Sequence, residues 1–546
     1  MIKTAILAPM LAAVLAGSIQ SLPAKQTKDA AHATSYEYNT PLQYQWVIDM
    51  EDVQGEAFLW IPPTCEHLNA IVFSQQNMTE ETLFGNSKFL KRMEESGIGI
   101  LWLAPGLWQQ WNVQDHCEEH FYRTLHRLAD ISGYAELDSV PIAPIGHSAM
   151  ATFPWNFGAW NKERTLCIVS YKGDAPRTNL CGYGRENIEW GRNRNIDGVP
   201  GLMVMGEYEW WDLRLTPAHG FRMWYPDSRI SFLCDAGRGH FDLCDETADY
   251  VGLFIQKALE YRKQKMNGTE PEGWFAQRWG REDGLVPIPA DRPAPAPCSE
   301  YKGDEHIAFW YFDREMAEKA EQRYAASAGK KMQYVSFMQD GQVCHYNPNS
   351  HVKLNPQFRP EADGMTFHLK AVCVDSTNSR LSEEHAKGAP SIQRICGPVE
   401  VIDDTTFRLA FYQTGMSNPR YTHSITMFAE MKGDEQYKTA VREVSIRIPE
   451  RITNGKEQTI SVKDMNRQLR AGGKITLRAK ASSGLPVRYY VKRGAAHIED
   501  DNKLVADRVP PCAKQPMKVT VVAWQYGIDG KWNTATPVEI DFEQVF

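Results

Sequence analysis

Short apolar runs alternate with amphipathic segments over the first half of the chain. Runs rich in Ile, Val and Leu predict strands at Phe58–Ile61, Ala70–Ser74, Ile98–Ala104, Pro141–Gly146, Leu166–Tyr171, Leu202–Gly206 and Ile230–Cys234. Helical segments follow or separate them at Ser87–Glu95, Glu118–Ile131, Ala149–Trp160 and Asp245–Lys263. This alternation predicts an α/β domain with a doubly wound, mostly parallel sheet that is covered on both faces.

The pattern changes after a proline-rich stretch. Residues 284–298 contain five prolines, which predicts an extended linker over 284–300. One further helix is predicted at Asp313–Ala326, and beyond residue 330 the apolar residues alternate with period two between Gly, Asn and Asp turns. We therefore predict an α/β domain at 25–283, a mixed, mainly β domain at 301–446 and a second β domain at 447–546.

Residues 1–24 have the pattern of an export signal. Met1-Ile2-Lys3 provides a positively charged start, and an uncharged run from Ala5 to Ala16 leads to small residues before Ala24. This run is too short to form a stable membrane-spanning helix. We therefore expect an exported protein, periplasmic or extracellular, with no integral membrane association after cleavage.

Charge and cysteine spacing narrow the possible partners. The formal net charge is −8, whereas nucleic-acid binding requires a basic surface, so we expect no nucleic-acid partner. The 11 cysteines include no CxxC pair, and Cys234 and Cys244 around His240 match no standard zinc spacing. We expect neither a metal ion nor an organic cofactor.

One serine follows a predicted strand directly. Gly146-His147-Ser148-Ala149-Met150 joins the strand at 141–146 to a helical segment. Serine is a common helix N-cap, but it is also the nucleophile on sharp strand-to-helix turns, where a glycine two residues earlier provides room because it has no Cβ. The turn alone leaves both interpretations open.

Two later strand ends supply the other residue types that a nucleophilic serine needs, a histidine and a carboxylate. The strand at 202–206 leads into "EYEWWD", which offers Glu207, Glu209 and Asp212. The strand at 230–234 leads into "DAGRGHFDLCDE", which offers His240 before a long helix. The chain order serine, acid, histidine at successive strand ends predicts a catalytic triad.

These motifs resemble the α/β-hydrolase superfamily over residues 45–265. "IGHSAMATFPWNFGAWN", "GVPGLMVMGEYEWWDLRL" and "AGRGHFDL" are most similar to secreted bacterial esterases encoded with polysaccharide-degradation systems. The resemblance implies Ser148 as nucleophile, His240 as general base and Glu209 as the acid, with Asp212 and Glu207 as alternatives. The chain departs from the family at Met150, where the family keeps a small residue.

The resemblance also implies an oxyanion hole. One donor is the backbone N–H of Ala149, and the other comes from the loop after the strand at 70–74, with Gln76 as first choice and Asn77 as second.

Aromatic and basic residues beside the acid suggest a sugar-binding surface. Trp210 and Trp211 are predicted to stack on sugar rings, and Arg214 to pair with a uronate carboxylate. Other tryptophans predicted near the same sheet edge either line this cleft or belong to the core: Trp108, Trp111, Trp155 and Trp190.

The C-terminal segment has a resemblance of its own. "ASSGLPVRYYVKRGAAHIEDDNKLVADRVP", followed by "VTVVAWQYG", is similar to bacterial immunoglobulin-like domains, which implies a β-sandwich at 447–546.

The sequence thus predicts an exported serine esterase that cleaves methyl or acetyl esters of a plant-type polysaccharide such as pectin, or of its oligosaccharides, through an acyl-enzyme. Two alternatives remain: a peptidase or small-ester hydrolase on the same fold, and a non-catalytic glycan-binding protein, for which Met150 is the strongest argument.

Overall fold

The computed structural model describes residues 40–180, 186–208, 211–278, 292–350, 352–416 and 423–545. The predicted signal peptide and the first half of the predicted linker lie outside these ranges.

The first part of the chain forms one eight-stranded sheet. Its strands are β1 Trp46–Asp49, β2 Glu56–Trp60, β3 Ala70–Gln75, β4 Ile98–Ala104, β5 Ile142–His147, β6 Ile168–Tyr171, β7 Pro200–Gly206 and β8 Arg229–Asp235. They lie in the order β1-β2-β4-β3-β5-β6-β7-β8, antiparallel as far as the β2–β4 pair and parallel from β4 to β8. The seven predicted strands are therefore confirmed, with ends shifted by up to two residues.

Seven helices accompany this sheet within the described residues. They are α1 Thr79–Gly85, α2 Ser87–Ser96, α3 Cys117–Ser132, α4 Phe153–Trp160, α5 Trp211–Trp224, α6 Asp245–Met266 and α7 Arg314–Ala325. The predicted helix at 149–160 is shorter than expected, because Ser148–Met150 form a 3₁₀ turn before α4 begins.

Helices cover both faces of the sheet. All six residues of β3 are buried, and its side chains alternate between two apolar clusters. Val72 faces the cluster that contains residues of α2 and α6, whereas Phe73 faces the cluster that contains residues of α3. Burial on both faces explains why the parallel strands are continuously apolar in sequence.

The predicted domain boundary at 301 needs correction. β9 Trp274–Gln277 pairs with β10 Ala296–Pro297 and with β11 Ala308–Tyr311. Phe309 of β11 and Met316 of α7 pack in the same apolar cluster as α6. The segment up to α7 therefore packs with the α/β domain, since its apolar residues complete that core.

The remainder is rich in small, mostly antiparallel sheets. The strands are β12 Tyr334–Gln339, β13 Gln342–Val343, β14 Thr366–His368, β15 Lys370–Val374, β16 Ser391–Cys396, β17 Val399–Val401, β18 Thr406–Leu409, β19 Ser424–Met431, β20 Ala440–Arg447, β21 Ile460–Val462, β22 Gln468–Arg470, β23 Lys474–Thr476, β24 Ala479–Ala481, β25 Arg488–Arg493, β26 Ala496–Glu499, β27 Lys503–Ala506, β28 Met517–Trp524 and β29 Val538–Val545. We call residues 334–447, with β12–β20, the middle β unit. The immunoglobulin-like topology of 447–546 stays a prediction.

Neither a membrane span nor a metal cluster is found in the described part of the chain. Among these residues, no helix combines the length and apolar character needed to cross a bilayer. The same residues hold no cluster of three or more His, Cys, Asp and Glu side chains that could bind a metal ion.

Candidate active site

Ser148 lies on a strained turn at the carboxyl end of β5. Its φ is +52°, in the left-handed region that residues with a Cβ rarely adopt. The Ala151 N–H donates to the Ser148 carbonyl oxygen at 2.8 Å, and α4 begins only at Phe153. Thr152 occupies the N-cap position of α4, so Ser148 is not the cap of this helix.

Two glycines allow this turn to close. A Cβ on Gly146 would lie 1.9 Å from the Met150 carbonyl oxygen, which is backbone and cannot move aside. A Cβ on Gly173, just after β6, would lie 1.9 Å from the Cβ of Ala151. The chain therefore needs glycine at both positions because neighbouring segments contact their Cα atoms directly.

Met150 fits because its side chain leaves the turn toward another glycine. A Cβ on Gly106 would lie only 2.3 Å from the Met150 Cε, so the absence of a side chain there makes room for the thioether, which is buried. Met150 packs in the same apolar cluster as Trp111 and Phe153. The flexible thioether thus fills a gap in the core and does not disrupt the turn.

Truncation of this side chain is expected to destabilise the protein. Met150→Ala should lower the free energy of unfolding by about 2–5 kcal/mol, because it leaves a cavity beside Gly106. Denaturant unfolding measures this change. Met266→Ala is the matched control, since Met266 is 78% exposed at the end of α6 and its truncation should change stability by less than about 0.5 kcal/mol. Equal effects of the two substitutions would contradict a packing role for Met150.

His240 reaches the serine. It lies in the loop between β8 and α6, and its Nε2 is 2.7 Å from the Ser148 Oγ. Ser148 is 7% exposed, so this hydrogen bond is largely protected from bulk water. The pair has the spacing that lets imidazole remove the hydroxyl proton.

A buried carboxylate shapes the histidine loop, residues 236–243. The Asp242 Oδ1 accepts the Gly239 N–H at 2.8 Å, and the fully buried Lys172 Nζ donates to the Asp242 carbonyl oxygen at 2.5 Å. The Lys172 Nζ also lies 3.5 Å from the Asp235 Oδ2, so the two buried carboxylates share one ammonium group.

Burial alone would raise the pKa of Asp235, but the charges of Arg323 and Lys172 hold that pKa below its ordinary value.

His147 joins the loops around the site, a role that sequence reasoning missed. Its Nε2 lies 2.9 Å from the His240 carbonyl oxygen and 3.2 Å from the Thr79 Oγ1. The Asn77 side-chain amide donates to the His147 carbonyl oxygen at 2.7 Å. An imidazole can bridge two loops because each of its two ring nitrogens can form a hydrogen bond. In the sequence, only the place of His147 between Gly146 and Ser148 could have indicated this role.

The prediction that the Gln76 N–H serves as an oxyanion donor is wrong, because this N–H is already used in the sheet. β3 extends one residue further than predicted, and the Gln76 N–H donates to the Leu103 carbonyl oxygen at 2.7 Å. The Met78 N–H donates to the Glu80 Oε2 at 2.9 Å. Within the described residues, no acceptor is recorded for the N–H groups of Asn77 and Ala149, so both are available as hydrogen-bond donors.

The structure gives partners to two of the three acid candidates. Glu207 is buried and accepts from the Lys438 Nζ, the Ser327 Oγ and the Gly237 N–H, each at 2.7 Å. Asp212 forms an ion pair with Arg278 at 2.9 Å. These contacts occupy both alternatives, whereas Glu209, the first choice, lies outside the described residues.

The predicted sugar-binding residues receive little support. Arg214 is only 7% exposed and donates to the Lys172 carbonyl oxygen at 3.1 Å, so it lies in the interior and not on an open cleft. Trp210 and the side chain of Trp211 lie outside the described residues. The four further tryptophans named above are buried as core residues: Trp108, Trp111, Trp155 and Trp190.

No protein-family model and no curated protein sequence matches this chain. Solved structures similar to it include a hyperthermophilic esterase from Pyrobaculum calidifontis, with 14% identity over 41% of this chain and 89% of that chain and a TM-score of 0.30. A fluorophosphonate-binding serine hydrolase of Staphylococcus aureus has 10% identity over 40% and 98% of the two chains, with a TM-score of 0.28. An esterase from Pyrococcus furiosus has 11% identity over 40% and 92%, with a TM-score of 0.27.

The mostly parallel eight-stranded sheet agrees with the α/β fold that the sequence predicts. At these identities and TM-scores the likeness adds nothing about the reaction, so an activity has to be inferred from the geometry around Ser148.

Proposed function

We propose that this protein is a serine hydrolase that cleaves carboxylic esters. The observation that carries the proposal is the 2.7 Å contact between the His240 Nε2 and the Ser148 Oγ, with Ser148 held at a positive φ after a parallel strand. Backbone strain of this kind persists only where the surrounding structure maintains it. The strained turn places the Ser148 hydroxyl at the carboxyl end of the sheet.

The reaction follows from these positions. The Ser148 Oγ attacks the ester carbonyl carbon while its proton passes to the His240 Nε2, and the N–H groups of Ala149 and Asn77 receive the negative charge on the carbonyl oxygen. Collapse of the tetrahedral intermediate breaks the bond to the alcohol, which takes the proton from His240. Water then attacks the acyl-enzyme by the same route, with Glu209 proposed as the carboxylate that orients His240.

The finer proposal concerns the substrate and the place of action. The sequence motifs favour a methyl or acetyl ester on a polysaccharide or oligosaccharide, hydrolysed after export. The support is the resemblance around Ser148 and His240 alone, because the four tryptophans that could have formed a sugar-stacking surface are buried. Recognition of a polymer would therefore depend on other residues.

A fluorophosphonate probe and a substrate panel test both levels of the proposal. The wild-type protein is expected to be labelled on the peptide that contains Ser148, as mass spectrometry would identify. The panel compares p-nitrophenyl acetate, methyl-esterified pectin, acetylated xylan and a peptide amide, by release of nitrophenol, methanol, acetate or amine. We expect ester cleavage and release from at least one polymer.

Each result has a defined meaning. Absence of labelling together with absence of ester cleavage would contradict a serine hydrolase. Faster cleavage of the amide would identify a peptidase. Cleavage of p-nitrophenyl acetate without release from either polymer would contradict the polysaccharide proposal alone.

A further inference from the structure

The middle β unit forms a buried ion pair with the histidine loop. Arg238, two residues before His240, donates to the Glu430 Oε1 of β19 at 2.5 Å. Both side chains are buried, with 7% and 3% exposure, and Gln393 donates to the other oxygen of Glu430 at 3.2 Å. Burial opposes the charge of Arg238, yet Glu430 raises the pKa of Arg238 well above its ordinary value. The loop is thus fixed to the β unit by a charged contact.

The same loop contacts the β unit on both sides of Arg238. A Cβ on Gly237 would lie 2.8 Å from the Cβ of Thr439, and one on Gly239 would lie 2.8 Å from the Glu443 Oε1. Phe241, directly after His240, packs in one apolar cluster with Phe428 of β19. These contacts leave the loop little freedom to move relative to β19 and β20, because close packing is not easily deformed.

The segment after β7 is held by the same unit. Glu207 accepts from the Lys438 Nζ at 2.7 Å, and the Tyr208 hydroxyl donates to the Thr439 carbonyl oxygen at 2.6 Å. These residues immediately precede Glu209, the proposed acid, so the β unit holds the side chains of the two residues that lead into the acid.

Helix α1, which follows the loop that contains Asn77, contacts the same β unit. Glu81 pairs with Arg394 of β16 at 2.7 Å and accepts from the Tyr412 hydroxyl at 2.8 Å. The Thr82 hydroxyl donates to the Ile395 carbonyl oxygen at 2.8 Å. Asn77, the proposed oxyanion donor, lies two residues before α1, so these contacts hold the helix that directly follows its loop.

Stability alone does not explain these buried charges. A buried ion pair contributes little to folding compared with apolar side chains of the same volume, because desolvation offsets the attraction. Such a pair does impose a defined geometry, since its hydrogen bonds require particular atoms at particular distances. Three such pairs connect one β unit to the three segments around Ser148: Arg238–Glu430, Lys438–Glu207 and Arg394–Glu81.

We infer that the middle β unit is a structural part of the active site, and that Glu430 is a positioning residue which sets the place of His240 through Arg238. The inference rests on the proposed function for the reaction that it affects. The anchoring of the histidine loop is a separate physical claim, which can be measured without a substrate.

Glu430→Gln in the full chain tests the inference, because it keeps the size of the side chain and removes the charge. We expect kcat for the best ester of the panel to fall about 10- to 100-fold, since a shift of about 1 Å in a catalytic group costs that much. KM should stay within about twofold, because Glu430 does not face substrate. Hydrogen–deuterium exchange of the peptide covering 236–243 should become faster.

Glu400→Gln is the matched control. The Glu400 carboxylate lies in the same β unit and accepts from the Arg408 Nε at 2.6 Å, but its ion pairs join only β-unit and C-terminal residues of the described chain. It should leave both kcat and the exchange of 236–243 unchanged. Arg238→Lys provides a second variant in case Glu430→Gln fails to fold, because lysine keeps the charge but cannot reach Asp242 and Glu430 together.

The outcomes are distinct. Faster exchange with lower kcat in Glu430→Gln or Arg238→Lys, and not in Glu400→Gln, supports the inference. Unchanged exchange in the folded variants, or equal loss of kcat in the control, overturns it. Faster exchange without any change in kcat overturns the positioning role. If the wild-type protein is not labelled by fluorophosphonate and cleaves no ester, the proposed function fails and with it the positioning role, while the exchange result still decides whether Glu430 anchors the loop.

Discussion

Replacement of Ser148 by alanine is expected to lower kcat for ester hydrolysis by about 10⁴- to 10⁶-fold and to abolish fluorophosphonate labelling. The substitution removes one oxygen atom, the Oγ that lies 2.7 Å from the His240 Nε2, so no acyl-enzyme can form at this position. Alanine tolerates a positive φ as poorly as serine does, and the thermal midpoint should therefore stay close to that of the wild type. Steady-state kinetics and mass spectrometry of the labelled protein measure both effects.

Ser139→Ala provides the control for this variant. Ser139 lies on the surface in an ordinary turn, and its hydroxyl contacts only the Glu136 carbonyl oxygen within the described residues, at 3.4 Å. Activity and labelling should remain at the wild-type level. A Ser148→Ala variant with activity within about tenfold of the wild type would show that another group is the nucleophile.

Replacement of Glu209 by glutamine is expected to lower kcat by about 10⁴-fold with little change in KM, if Glu209 holds the His240 imidazole in the correct tautomer. Glutamine has the shape of glutamate but no charge to stabilise the imidazolium that forms during attack. Because the deficit is in proton transfer, fluorophosphonate labelling should become slow but still reach Ser148. The kinetics of labelling and the kcat of a short acyl ester measure this loss.

Asp212→Asn is the matched control in the same segment. Asp212 pairs with Arg278 at 2.9 Å, a contact that belongs to packing around α5, so its charge should matter for stability more than for kcat. The reverse result would be a large loss of kcat in Asp212→Asn and a kcat near that of the wild type in Glu209→Gln. It would assign the acid role to Asp212 and overturn the preference for Glu209.

The strand ends could be predicted because their signal is local. Buried parallel strands are continuously apolar, so β5, β7 and β8 stand out in the sequence, and the residues that follow them must meet at one sheet edge. This is why Ser148 and His240 could be placed together although 92 residues separate them.

The oxyanion donor and the role of Arg214 depended on details that no local pattern carries. One extra residue of pairing between β3 and β4 uses the Gln76 N–H, which leaves Asn77, the second choice, as the proposed donor. The predicted pairing of Arg214 with a uronate requires an exposed side chain, but Arg214 lies in α5 and is buried against the segment after β6. One additional residue of strand pairing decided the first case, and a helix that the sequence analysis did not predict decided the second.

The buried connections to the β unit were beyond sequence reasoning for a different reason. Arg394 and Glu430 look like ordinary charged residues of β strands, Lys438 lies just before a strand, and charged residues are usually exposed. Their partners lie in another part of the chain, and a single sequence contains no signal that pairs a carboxylate with one guanidinium out of many.

The pairing of Glu81 with Arg394 spans 313 residues and that of Arg238 with Glu430 spans 192. Contacts of such high sequence separation carry a large entropic cost, because long loops must close before the contacts can contribute. The chain therefore has to extend well past its nucleophile, to residue 438 at least, before all three of the buried ion pairs around Ser148 can exist. Synthesis runs from the N-terminus at about 5–20 residues per second. The α/β domain therefore emerges many seconds before the β-unit residues of these ion pairs do. A nascent chain thus carries its serine long before it carries a fully assembled active site.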